Sequence, residues 1–102
     1  MTKIKQWLVG QAPKFSAKFY NELGALADPT TITFRIGRYE GTTTSYVYGV
    51  DLELIKDAVG EYHIVVEILQ AFVPSAVARW EAAGAIIDAY EDRMSIEASK
   101  LA

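Results

Sequence analysis

The chain of 102 residues has no cysteine, a single histidine and only three prolines, and positive charge is thinly spread along it. Without cysteine there is no disulfide scaffold, no thiolate-ligated zinc and no thiol nucleophile. Ten Lys and Arg face thirteen Asp and Glu, giving a formal net charge of −3 and a pI near 5.0. The basic residues come no closer than Lys3/Lys5, Lys14/Lys18 and Arg35/Arg38. A nucleic-acid binder clusters such residues to displace counterions, so nucleic acid is not expected as a partner. Long apolar runs are missing too. Lys3 and Lys5 precede Trp7-Leu8-Val9 in the manner of a signal peptide, but the run stops at Gly10-Gln11. A signal core needs about 7–15 apolar residues and a membrane helix about 18 or more. The expectation is a soluble chain made in the cytoplasm, with no signal peptide and no membrane partner.

What the chain does have is β-forming sequence. Half of it (51%) is hydrophobic and 12% is aromatic, enough for one sizeable core in one domain spanning residues 1–102. "KFSAKFY" (14–20) alternates, with Phe15, Ala17 and Phe19 on one side, the pattern of a half-buried strand. "NELGALADP" (21–29) supplies turn chemistry at Asn21, Gly24, Asp28 and Pro29. "TITFRIGRY" (31–39) turns Ile32, Phe34 and Ile36 inward and Thr33, Arg35 and Gly37 outward, and Glu40-Gly41 makes a tight turn into "TTTSYVYG". Those two runs read as a hairpin. A short strand is expected over Leu52–Ile55 and a turn at Asp57-Ala58-Val59-Gly60. In "EYHIVVEI" (61–68), Tyr62, Ile64, Val66 and Ile68 face inward and His63 outward. Five strands in the first 68 residues are spaced as in a sandwich or barrel.

From Ala71 to Ala102, nine of 32 residues are alanine. Propensity favours helix there, broken near Gly84. Alternation favours strands instead: Ala76, Ala78 and Trp80 inward, a turn at Ala82-Ala83-Gly84, then Met94 and Ile96 inward with Arg93, Ser95 and Glu97 outward. The pattern alone leaves both open.

Little here could do chemistry. His63 could hold a metal with Glu61 or Glu67, although an exposed strand histidine explains it as well. "DAYEDR" offers Asp88, Glu91 and Asp92 without the ligand spacing or glycine of a calcium loop, and reads as a solvated turn or helix end. Ser16, Ser45, Ser75, Ser95 and Ser99 sit in no nucleophile-elbow pattern, and no glycine-rich phosphate loop is present. No enzymatic activity, cofactor or metal is expected. The surplus is aromatic. Trp7, Tyr39, Tyr46 and Tyr48, with Tyr20, exceed what one side of a small sandwich needs. If Val47 packs inward, Tyr46 and Tyr48 form an exposed stripe suited to protein contact; in the other reading the tyrosines are core and Val47 is outside. The four candidate contact residues are therefore Trp7, Tyr39, Tyr46 and Tyr48. Residues 1–10 read as either a docking arm or a first edge strand.

The segments "GALADPTTIT", "SYVYG", "KDAVGEYHI" and "RWEAAG", in this order across residues 7–97, resemble a family of small immunoglobulin-like β proteins encoded among the structural genes of tailed bacteriophages. Those segments are turn and core signatures. Pro74, Ala76 and Ala78 stand where the family usually has glycine and aromatic residues before the tryptophan, which leaves a helix open for Ala85–Tyr90. The resemblance implies an all-β fold, an immunoglobulin-like antiparallel β-sandwich of about seven strands with Trp80 central against Phe34 and Tyr62. It further implies an accessory structural protein of the virion, docking on the capsid exterior or at the head–tail connection. Its partners would be other phage structural proteins, capsid or connector, in a symmetric multi-copy assembly. The alternative is a sandwich that binds carbohydrate on a host surface through the tyrosines. A small hydrolase built on His63 is a third reading.

Overall fold

A computed structural model describes residues 5 to 98, with the side chain of Lys5 excepted. Wherever the sequence alternates, the chain is extended. Eight strands result: β1 (Lys5–Leu8), β2 (Lys14–Lys18), β3 (Thr31–Arg38), β4 (Thr43–Val47), β5 (Leu54–Ala58), β6 (Glu61–Val65), β7 (Ser75–Ala83) and β8 (Asp88–Glu97). They form two sheets, one ordered β1-β8-β7-β3-β4 and the other β2-β6-β5. Every neighbouring pair is antiparallel except β1 on β8, which is parallel. The protein is an all-β sandwich. The count exceeds the expected seven because Lys5–Leu8 forms the edge strand of the larger sheet; the preceding four residues of the 1–10 segment lie outside the described residues.

The core is the set of inward positions the alternation marks. Phe15, Ala17, Phe19, Tyr62, Ile64 and Ile68 share one buried cluster with Ile32, Phe34, Ile36, Ala76, Trp80, Met94 and Ile96. Phe34 is the hub: its ring centroid lies 5.3 Å from Phe15 across the sandwich and 4.9 Å from Trp80 on the adjacent strand. Tyr62 is not a ring neighbour of Trp80 in the way expected; it packs edge-on to Phe19 and Tyr48.

Four expectations are corrected. The helix left open in the C-terminal third is not seen among the described residues. Residues 75–83 and 88–97 are strands, and the described residues contain only a single 3-10 turn, Gln70–Phe72. Alternation overrides alanine's helix propensity there because Ala76, Ala78, Trp80 and Ala82 all bury one face against the core. The turn after them falls at residues 84–87, one residue beyond Ala83, where Gly84 has φ +90 and a Cβ would meet the Thr30 side chain. The short strand expected over Leu52–Ile55 begins at Leu54, since Asp51 folds the preceding residues into turns, and it runs on to Ala58 with a bulge between Lys56 and Ala58. Gly37 is buried rather than outward. The incoming β4 backbone at Thr42 and Thr43 occupies the space of a Cβ there.

Trp80→Ala is expected to destabilise the protein by about 3–5 kcal/mol, the usual cost of deleting a large buried aromatic. Urea denaturation checks this. Loss of under about 1 kcal/mol would mean that the Phe34–Trp80 packing is not central.

Candidate functional site

The four sequence-selected aromatics do not converge. Tyr46 stands opposite the buried Phe34 and Val47 opposite Thr33, so it is Val47 that faces out and Tyr46 that leans on the core. The inferred stripe is reversed because β4 takes its register from Phe34. Tyr48 is exposed at one end of the sandwich, its ring 5.3 Å from Tyr62. Tyr39 is exposed at the other, beneath the Arg93 guanidinium at 3.9 Å. Trp7 lies on the opposite edge of the sheet from β4, half-buried, with its Nε1–H lacking an acceptor among the described residues.

His63 is less exposed than expected, with 17% of its side chain accessible, and its Nδ1 lies 2.7 Å from the Asp57 carboxylate. Neither Glu61 nor Glu67 is its partner: Glu61 pairs with Lys18, and His63 and Asp57 face each other across the β5–β6 ladder beside the bulge. Of the acids in "DAYEDR", which lie on β8 and not on a turn or helix end, Glu91 pairs with Arg79 at 2.9 Å. Among the described residues no group of three or more His, Asp or Glu is placed to hold a metal ion. No helix among them is long and apolar enough to cross a membrane.

A different surface emerges at the end of the sandwich where β2 leads to β3, β4 to β5, β5 to β6 and β7 to β8. Its loops carry large apolar side chains turned to solvent: Leu23 is 92% exposed, Ile87 86% and Val59 55%. Val50 (76%) and Leu52 (91%) project from the β4–β5 crossover that starts there. Leu23 and Ile87 line one shallow groove together with Tyr20 and Ile86. Scattered exposed aliphatics are ordinary, whereas a concentration of them at loop tips is not.

The loops that carry them are held by side chains. Asn21 Oδ1 accepts from the Leu23 and Ala25 N–H groups at 2.9 and 3.1 Å, a local turn that Gly24 completes with φ +80. Thr30 Oγ1 accepts from Ala85 N–H at 3.0 Å, and Asp51 Oδ2 from Val47 N–H at 2.8 Å. Asp28 does most. Its carboxylate accepts from Lys56 Nζ (2.7 Å), Gly60 N–H (2.8 Å) and Tyr62 Oη (2.8 Å), pinning the 19–30 loop to the β5–β6 turn. The Lys56 ammonium first, then the Gly60 and Tyr62 donors, hold the Asp28 carboxyl down at about 2. Reciprocally, Lys56 is raised by its bond to Asp28, and Tyr62 is raised by burial and by the same carboxylate. Gly60 (φ +72) is required at the join, because a Cβ there would meet Ala27 N and Phe19 O at 2.8 Å each.

The sequence marks the turns but does not single out these exposed apolar side chains. The available signal was an apolar residue with no partner in any alternation, lodged inside turn chemistry: Leu23 in "NELG", Leu52 in "VDLE", Val59 in "DAVG" and Ile87 in "GAIID".

A carboxylate with a depressed folded pKa stabilises above its unfolded value, and that contribution is lost as pH falls through the folded value. Asp28 should therefore contribute in full above about pH 4 and lose its contribution as pH falls to about 2. Asp28→Asn should lower the denaturation midpoint at neutral pH and flatten its decline in this acid window. Parallel curves for the parent and Asp28→Asn through that window would exclude Asp28 as the lock.

No family model, characterised protein or solved structure matches the chain.

Proposed function

We propose that the protein is a non-catalytic docking module, an immunoglobulin-like domain serving as an accessory structural protein of a tailed-phage particle, attached through its loop end. The observation that carries the docking reading is the set of solvent-turned Leu23, Val50, Val59 and Ile87 on loops fixed by Asn21, Asp28, Thr30 and Asp51. Side chains that lose little freedom on binding give more affinity per unit area. Exposed leucines on rigid loops do nothing for folding and suit binding.

Strand order supports the immunoglobulin-like part. In that fold the B, E and D strands share one sheet and G, F and C the other, with C′ added beside C in variable-type domains. Here β2-β6-β5 takes the B-E-D order and β8-β7-β3-β4 the G-F-C-C′ order. The core tryptophan departs from the antibody arrangement by sitting on β7, the F position, with Phe34 on the C-position strand β3. The phage assignment is supported by the sequence resemblance across residues 7–97. A domain this small offers about 500–800 Å² to a partner, at the low end for stable interfaces, so retention comes from many equivalent contacts around a symmetric particle.

Purified tailed-phage particles assembled without this chain provide the test, on the capsid exterior and the head–tail connection alike. The parent should bind saturably, at a copy number that is a multiple of the particle's symmetry. The Leu23→Ser/Ile87→Ser double variant should lose most of that binding while its stability stays within about 0.5 kcal/mol per exposed site. Tyr46→Ser/Tyr48→Ser should instead act mainly on stability, through Phe34 and Tyr62. Absence of parent binding, or undiminished binding by the Leu23/Ile87 variant, would sink this reading.

A further inference from the structure

From the charges around the loop end we infer the chemistry of its partner: a different chain whose apolar contact residues are set among lysines and arginines. The inference rests on the docking reading above and adds to it what the surface accepts and rejects.

Acidic and basic residues are unequally placed there. The loop-end segments 18–30, 57–61 and 83–90, together with the crossover and β5 (47–56), contain no arginine and only two lysines, Lys18 and Lys56. Both lysines are engaged, Lys18 with Glu61 at 3.3 Å and Lys56 with Asp28 at 2.7 Å. Asp57 faces His63. Glu22, Asp51, Glu53 and Asp88 remain, with no Lys or Arg partner among the described residues. The Asp51 and Asp88 carboxylates accept from backbone N–H groups of Val47 and Ala89, which fixes them in place without neutralising them. At the loop end exposed Leu23 directly follows Glu22 and exposed Ile87 directly precedes Asp88, while Leu52, between Asp51 and Glu53, lies on the crossover toward the far end of β5.

An apolar surface edged in carboxylates discriminates by sign. Like charges brought together as water is excluded are costly, and opposite charges steer encounter and fix register. A second copy presenting the same end would set carboxylate against carboxylate. Of its other cations, Arg35 pairs with Glu81, Arg79 with Glu81 and Glu91, and Arg93 lies over the Tyr39 ring, while Lys14 and Arg38 stand at the opposite ends of β2 and β3 from these loops. Anionic lipid and nucleic acid are rejected on the same ground. A chain that offers aliphatic sockets edged by Lys or Arg meets both requirements, pairing its cations with Glu22 and Asp88 as Leu23 and Ile87 are buried.

Two synthetic peptides of equal length separate the alternatives, one alternating leucine with lysine and the other leucine with glutamate. Binding is read by calorimetry against the full chain at low and at physiological salt. The leucine–lysine peptide should bind the parent, more weakly as salt rises, and the leucine–glutamate peptide should not. Glu22→Gln/Asp88→Asn and Leu23→Ser/Ile87→Ser should each bind the leucine–lysine peptide about tenfold less tightly. The parent should sediment as a monomer at low salt. Equal binding of both peptides would remove the charge requirement and overturn the inference while leaving the docking surface in place. Undiminished binding of the leucine–lysine peptide to Leu23→Ser/Ile87→Ser would mean plain polyelectrolyte attraction, and would remove the apolar site with it. Failure of both peptides to bind, or dimerisation of the parent through this end at low salt, would also overturn the inference.

Discussion

Phe34 lies between Phe15, contributed by the three-stranded sheet, and Trp80 on the neighbouring strand of its own sheet, with ring centroids 5.3 and 4.9 Å away. That three-ring contact fixes which side of every strand in the larger sheet is inside. With Phe34 opposite Trp80 and Tyr46, a slip of one residue would expose Ile32, Phe34 and Ile36 together and bury Arg35. The same register lines up the outer face, where Arg35 and Arg79 share Glu81 and Arg79 reaches Glu91. These exposed pairs add little individually. The loop ends depend on the core as well, because Asp28 can bridge to Lys56, Gly60 and Tyr62 only if β2, β5 and β6 keep their places over Phe34.

How much of this could be read from the sequence follows from where period-two patterning reaches. Alternation identified the buried faces of β2, β3, β6, β7 and β8, and Trp80, Met94 and Ile96 lie where it puts them. It failed at β4. "TTTSYVYG" alternates with no clear apolar face, so only its cross-strand partner decides that Tyr46 goes in. The C-terminal strands were ambiguous because alanine satisfies a helix or a tightly packed inner face equally well. Lys5–Leu8 is too short for a pattern to declare itself, and its pairing with β8 spans most of the chain. His63 looked exposed by alternation alone. Asp57, reached across the β5–β6 ladder, covers it.

The loop end was the least legible part, for a related reason. Asn21, Asp28, Thr30 and Asp51 are ordinary turn residues by sequence, and each becomes a clamp only through a backbone donor supplied elsewhere in the fold or a few residues away. Clamped loops separate two tasks that usually compete. Polar side chains supply the order, and the apolar side chains between them are left unspent. A small sandwich gains nothing in stability from Leu23 or Ile87 held in water.

The bulge between Lys56 and Ala58 has a consequence for how the protein behaves when crowded. The sheet edges are β1, β2, β4 and β5, and the described part of each is four or five residues long, below the six or seven, roughly, that stack readily into cross-β fibres. β5 is further kinked by its bulge and carries Lys56, while β2 carries Lys14 and Lys18, devices that blunt an edge against pairing with a neighbour's backbone. Many copies held side by side at high local concentration would therefore stay discrete, each meeting its neighbours through side chains and not by annexing their strands.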